Sequence, residues 1–251
     1  MNPKISIAIP TYINNELQLS YLRYSFDKIL EQTFKNFEVV ISDNSLNTFV
    51  ENLCNEYSDY FSIIYFKNLD KVGMSQNSNS SMKLCKGDYI KILHYDDFLF
   101  SNKSLELIVN SLDNSDNYWL VNGFNHTHDA VSFFDPRVPK YTKYSLIGNN
   151  LLGCPSNVSI RNIDVPDYDP NLHMSMDVEW YHRIRMSHGM PLIIDDVLTT
   201  SRIHNNSTTS KINLDVVIET EEGSWENVQS EINYLNEKYK DFFETWEYPN
   251  D

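Results

Sequence analysis

Glycine is scarce, with seven residues in 251. Neither glycine nor lysine falls in "PTYINNEL" (10–17), which follows the first apolar run. That counts against the glycine-rich, basic phosphate loop a nucleotidyltransferase would carry there. Cysteine is sparser still. Cys54, Cys85 and Cys154 are odd in number and far apart, so they offer neither a disulfide framework nor a zinc spacing, and they suit a reducing compartment. Basic residues are outnumbered 20 to 35, for a formal charge of −15 and an isoelectric point near 4.8. An acidic surface of this kind argues against nucleic acid or an anionic membrane as a partner held by basic charge. No run approaches the ~18 apolar residues of a membrane-spanning helix. The opening "MNPKISIAIPTY" is too short and too soon broken by Pro10 for a signal peptide. The expectation is a cytoplasmic chain, with peripheral membrane association left open. Neither an internal repeat nor a low-complexity linker divides it, and with 41% hydrophobic residues it can pack one core.

What is present alternates. "ISIAIP" (5–10), "FEVVISD" (37–43), "FSIIYFKN" (61–68) and "DYIKIL" (88–93) read as buried strands. Between them, 16–34, 47–58 and 73–87 carry apolar residues at helical spacing, as in Leu19, Leu22, Phe26, Ile29 and Leu30. Strand–helix alternation with short connections implies an α/β fold whose parallel sheet is covered on both faces. Ligands bind such sheets at the carboxyl ends of the strands. Thr11, Asp43, Asn44, Asp96 and Asp97 should therefore meet at one edge. The second half is less regular. A helix is expected over 102–112, a strand over 118–124 and a long irregular segment over 125–150. A helix over 176–189 has Asp177 and Glu179 in its first turn and Gly189 past its end. A strand over 191–204 follows. The tail, 224–246, is expected as an amphipathic helix on Trp225, Val228, Ile232, Leu235, Tyr239, Phe242 and Phe243.

Two adjacent carboxylates, Asp96 and Asp97, close a buried strand. They can serve as solvated turn residues or a helix cap. Alternatively, as hard oxygen ligands, they can hold Mg²⁺ or Mn²⁺ against a diphosphate. The motifs "ISIAIPTYINN" (5–15), "FEVVISDNSLN" (37–47), "DKVGMSQNSN" (70–79), "KGDYIKILHYDDFL" (86–99) and "SMDVEWYHRI" (175–184) together resemble, in order, those of inverting family-2 glycosyltransferases with the GT-A fold. The resemblance covers about residues 3–210. It implies one glycosyltransferase domain over 1–215, with a nucleotide-binding half (1–100) and an acceptor-binding half (101–215). Residues 216–251 would be a helical extension packed on the same domain. It also implies a nucleotide-sugar donor, usually UDP-linked, a divalent ion on a DXD-type motif, and a saccharide or lipid-linked saccharide acceptor.

By the same resemblance, Pro10, Thr11 and Tyr12 line the nucleoside pocket and Asp43 meets the uracil N3–H, with Asn44 beside it. Gly73 and Asn77 pack against the nucleotide. Gln76 stands where an Arg is usual, and Lys71 can substitute for it. His94 replaces the Asp that usually touches the ribose, next to Tyr95. Asp96, Asp97 and His204 are the expected metal ligands, Asp96 foremost, and His204 comes from the Arg-X-His of "TSRIHNNST" (200–208). The expected base is Asp177, with Glu179 as competitor, and both can equally be first-turn charges that favour the helix dipole. The expected reaction is transfer of a hexose by single displacement with inversion. Rival readings are a sugar- or nucleotide-binding module that lacks the chemistry, a nucleotidyltransferase, and a glycoside hydrolase, which the strand–helix order fits poorly.

Overall fold

In the computed structural model, residues 2–142, 145, 146, 149–205, 207 and 228–241 are described. Four strands, β1 (Ile5–Thr11), β2 (Phe37–Asp43), β3 (Ile63–Lys67) and β4 (Tyr89–Ile92), alternate with α1 (Glu16–Leu30), α2 (Phe49–Tyr57) and α3 (Met74–Lys83). Then follow β5 (Phe98–Leu99), α4 (Ser104–Asp113), β6 (Trp119–Thr127), β7 (Phe133–Arg137), β8 (Val158–Arg161), α5 (Met176–His188), β9 (Leu192–Arg202) and α6 (Val228–Lys238). The sheet runs β3-β2-β1-β4-β8-β6-β9-β5, with β7 paired to β6. The first four strands are mutually parallel. β8 enters antiparallel between β4 and β6, and β6 and β9 are parallel again. This is a single α/β domain with the GT-A arrangement and a mostly parallel sheet.

Alternation along each strand sorts the core into two layers. Ile5, Ile7 and Ile9 of β1 pack with Val39 and Ile41 of β2 beneath Phe26, Val50 and Ile108 of α1, α2 and α4. Ala8 and Val40 face the other way, with Met82, Trp119, Trp180 and Leu235. Ile7 is fully buried, so its replacement by Ala should cost about 2–5 kcal/mol. Gly87 is where the chain passes closest to β1. A Cβ there would lie 2.7 Å from the Ser6 nitrogen, and the same Ser6 donates to buried Glu38 at 2.6 Å.

The first half follows the sequence pattern closely. In the second half, β6 runs on to Thr127 and β7 follows, so part of the stretch expected to be irregular is sheet. The signal was weak because β6 buries Asn122, Asn125 and Thr127, while β7 is exposed throughout. β5 and β8 are two and four residues long, too short to show a period. Of the expected tail helix, α6 is present; Trp225, Phe242 and Phe243 and the side chain of Val228 lie outside the described residues. Among the described residues, no helix is long and apolar enough to cross a membrane.

Candidate active site

β1 is flanked by β2 on one side and β4 on the other. In that register Thr11 meets Asp43, and Ala8 meets Ile92. The residues after β4 therefore come level with the end of β1, and the expected edge forms. It has two depths.

The deeper residues are Pro10, Thr11, Asp43 and Asn77, all buried. Asp43 is fully so: Oδ1 accepts from Thr11 Oγ1 at 3.2 Å and Ser45 N at 2.9 Å. Its Oδ2 accepts from Tyr65 OH at 2.9 Å and Lys67 Nζ at 2.8 Å. Asn77 accepts from Ser42 Oγ at 2.7 Å and Asn68 Nδ2 at 2.9 Å, and it donates to Thr11 O at 3.1 Å. These side chains fasten strand ends together. Asp43, expected to meet a uracil ring, has both oxygens engaged within the fold.

The shallower residues face the edge. Tyr12 is 39% exposed, Lys71 is exposed, and Asn44, Gly73, His94, Tyr95 and Asp96 are half-buried. Asn44 holds Val72 through both its backbone polar groups, at 2.7 and 3.2 Å. Gln76, standing where the resemblance has Arg, accepts from Gly73 N at 3.2 Å, so it steadies the start of α3. His94 N donates to Ser156 Oγ at 2.9 Å, and Tyr95 OH accepts from Gln18 Nε2 at 3.4 Å.

The two adjacent carboxylates separate here. Asp97 is buried; its Oδ1 accepts from Arg202 N at 3.0 Å and its Oδ2 from the Cys154 thiol at 3.4 Å. Burial above all, then the neighbouring Asp96 charge, pushes its carboxyl up. Asp96 keeps 18% of its side chain exposed, with Oδ2 at 3.0 Å from His204 Nε2. His94, Asp96 and Asp97 can each offer a ligand atom within 4.8 Å of the others. Two carboxylates and an imidazole suit Mn²⁺ or Mg²⁺ completed by diphosphate oxygens. The donor set therefore fits the implied ion, and Asp96 is its outward member. Two basic side chains are buried nearby. The Arg202 guanidinium lies 4.5 Å over the Tyr21 ring and donates to Asp96 O at 3.3 Å. Fully buried Lys91 donates to Asn122 Oδ1 at 3.0 Å and Thr199 Oγ1 at 3.4 Å; burial lowers it to about 7.

Asp177, in the first turn of α5, is half-buried. It accepts from Val178 N at 2.8 Å and Asn150 Nδ2 at 3.3 Å. Burial raises its carboxyl to about 6, against the opposing pull of the Val178 N–H and His94; Glu231 adds to the rise. Glu179 lies on the other face of the helix. It is fully buried and accepts from Arg183 Nε at 2.8 Å and Nη2 at 2.9 Å, Lys238 Nζ at 2.8 Å and Tyr239 OH at 2.7 Å. Three of these bonds fall on Oε1 and one on Oε2, so Glu179 is bound into the fold by two cations and a phenol. Asn150, Cys154, Ser156 and Lys91 join the site only through contacts between distant segments, which no local motif marks. Arg202 belongs to the same Arg-X-His as His204, and its backbone N–H and guanidinium both reach the acidic turn.

This sheet edge, with an outward carboxylate beside histidines, lies on the GT-A fold of glycosyltransferases. The model of the family "Glycosyl transferase family 2" matches residues 6–165, and the chain belongs to that family. An uncharacterised glycosyltransferase of Rickettsia typhi is 28% identical over 226 residues, covering 83% of this chain and 67% of the relative. A poly(ribitol-phosphate) beta-glucosyltransferase of Bacillus spizizenii is 22% identical over 72% of this chain and 32% of its own length. Among solved structures, S. aureus TarS residues 1–349 in complex with UDP-GlcNAc has a TM-score of 0.67 at 15% identity, over 85% of this chain and 62% of that one. The mannosyltransferase PcManGT from Pyrobaculum calidifontis, solved with GDP-Man and Mn²⁺, has a TM-score of 0.60 at 14% identity, over 82% of this chain and 59% of that one. The chain thus spans about 60% of these solved structures.

Proposed function

We propose that this glycosyltransferase moves a hexose from a UDP-linked donor to an acceptor hydroxyl, in one metal-dependent displacement that inverts the anomeric carbon. The observation that carries the proposal is the pairing of an outward Asp96, grouped with His94 and Asp97, with an Asp177 carboxyl raised to about 6. The UDP preference is supported by the structural likeness to TarS, whose complexes hold UDP-GlcNAc and UDP.

In this mechanism Asp96 and His94 would hold Mn²⁺ or Mg²⁺, and His204 would approach from its loop. Bound there, the ion would supply Lewis-acid charge to the leaving diphosphate. Asp97 keeps the acidic turn in place through Arg202 and Cys154. Tyr12, Asn44, Gly73 and Tyr95 line the nucleoside, over a floor of Pro10, Thr11, Asp43 and Asn77, and Lys71 provides the cation that Gln76 does not. Asp177 takes the proton of the acceptor hydroxyl as its oxygen bonds to the anomeric carbon. The bond from that carbon to the diphosphate oxygen breaks on the opposite side, and the electron pair leaves with the diphosphate. A carboxyl near 6 is ionised at pH 7 yet basic enough to accept that proton. The acceptor is proposed to be a saccharide or a lipid-linked saccharide.

The test is donor turnover across UDP-, GDP- and dTDP-sugars with and without Mn²⁺, with wild type beside Asp96→Ala and Asp177→Asn. Metal-dependent release of one sugar, lost in both variants, is expected. Absence of nucleotide binding in wild type would overturn the proposal.

A further inference from the structure

Helix α6 lies beyond the residues matched to the family and contributes nothing to the chemistry above, yet it delivers a carboxylate to the start of α5. Glu231 is buried. Its Oε1 accepts from His173 N and Met174 N, both at 3.0 Å. Its Oε2 accepts from Met174 N at 3.1 Å and Ser175 N at 2.7 Å. Three consecutive N–H groups just before the helix therefore converge on one side chain. Ser175, the N-cap residue, makes no side-chain cap bond of its own. The segment that leads into α5 is thus held by a residue 56 positions along the chain.

Two further grips surround this one. Lys238 Nζ reaches Asp169 at 2.6 Å and Glu179 at 2.8 Å. Tyr234 OH donates to Asp169 at 2.9 Å, and Tyr239 OH to Glu179 at 2.7 Å. Leu235 is fully buried in the core layer that holds Met176 and Trp180. The segment from Asp169 to Glu179 is thus held at its start, its middle and its end, and Asp177 lies between the last two holds.

We propose that Glu231 is a positioning residue for the reaction: its carboxylate fixes the three residues that lead into α5 and thereby positions Asp177. The proposal rests on Asp177 being the base. Without Glu231, three backbone donors lose their acceptor and must recruit water, which loosens the turn that carries Asp177. A displacement of about 1 Å in a reacting group is enough for a loss of about a hundredfold. Glu231 also acts through charge. The charged and titratable groups that bear on Asp177 are His94 after β4, Glu231 from α6, and the buried phenols of Tyr168 and Tyr181.

The test compares wild type, Glu231→Gln, Glu231→Asp and Asp177→Asn. It measures turnover of the donor that wild type uses, UDP affinity with Mn²⁺, melting temperature, and the Asp177 titration by carboxyl-detected NMR. Glu231→Gln should lower kcat about ten- to hundredfold, leave UDP affinity within about twofold, and shift the Asp177 titration to lower pH. Glu231→Asp keeps the charge and should restore the titration more fully than the rate; it carries the test if the Gln variant does not fold. A purely structural role would lower the melting temperature alone. A folded variant with unchanged kcat and unchanged Asp177 titration would overturn the proposal. If Asp177→Asn turned over as fast as wild type, the assignment of the base would fail instead, whatever Glu231 did.

Discussion

The end of β4 and the start of α5 each carry two acids close in sequence, and each pair divides into an inward and an outward member. Asp97 turns in and Asp96 out; Glu179 turns in and Asp177 lies half-buried. The routes differ. Asp96 and Asp97 are adjacent in the turn between β4 and β5, closed by Asp97 N donating to His94 O at 3.1 Å. Asp177 and Glu179 are two apart on a helix, a rotation of about 200°. The inward partners differ as well. Asp97 accepts from neutral donors, a backbone N–H and a thiol. Glu179 is matched by two cations, Arg183 and Lys238. The β4 pair therefore remains a site that attracts a cation, whereas the α5 pair is neutralised on its buried side and leaves one isolated carboxylate with a raised affinity for protons.

The largest expected effect comes from the outward member of the α5 pair. Asp177→Asn should lower kcat by about 10³-fold, within the usual range for a lost general base, while UDP affinity stays the same in titration calorimetry. Retained turnover would transfer the role of base elsewhere in the cleft. Asp96→Ala comes next. Turnover should fall about 10²- to 10³-fold through loss of charge stabilisation, and the metal dependence of UDP binding should vanish with it. If Asp97→Asn abolished metal dependence while Asp96→Ala spared it, the inward–outward assignment at β4 would be reversed.

Much of this comparison was legible in sequence, though only as pairs. β1, β2, β4 and α1 announce themselves by apolar period and by Pro10 after the first run, so the edge at Thr11, Asp43 and Asp96 was foreseeable. Which member of each pair faces the ligand was not. Asp97 is turned inward by Arg202 and Cys154, 105 and 57 residues away, and Glu179 by Lys238 and Tyr239, 59 and 60 residues away. Sequence spacing carries no trace of such contacts. Asp43 shows the same limit: a turn-like "SDNS" gives no hint that Tyr65 and Lys67 of β3 already occupy its Oδ2.

The inward member of the α5 pair should govern stability instead of rate. Glu179→Gln leaves Arg183 and Lys238 short of their counter-charge, and it should cost about 2–3 kcal/mol in urea unfolding. That lies at or below the low end for a broken buried pair, because both cations are about 30% exposed. The kcat of the folded fraction should change less than tenfold. A loss as deep as that of Asp177→Asn would restore Glu179 as a base.

The smallest effect, and the sharpest discriminator, is the opposite pH slope the two acids impose. Asp177 titrates near 6 in the fold against an ordinary 3.8, so the folded protein holds this proton more tightly than the unfolded chain does. As pH rises from about 4 to 6 the unfolded chain ionises first, and stability falls across that window before levelling off. Glu179 behaves inversely. Desolvation pushes its carboxyl up, but hydrogen bonds from Arg183, Lys238 and Tyr239 outweigh that and hold it below the ordinary 4.5. Its contribution is present above 4.5 and is lost as pH falls below that value. Unfolding measured from pH 3 to 8 should therefore show Asp177→Asn more stable than wild type by about 1–2 kcal/mol above pH 6, with the gap closing towards pH 4. The Glu179→Gln deficit should be largest above pH 5 and shrink in acid. The acid limb of kcat/KM should fall near pH 6 in wild type and keep its position in Glu179→Gln. Parallel stability curves for the two variants would mean that the two carboxylates share one environment, contrary to the separation of the two faces of α5.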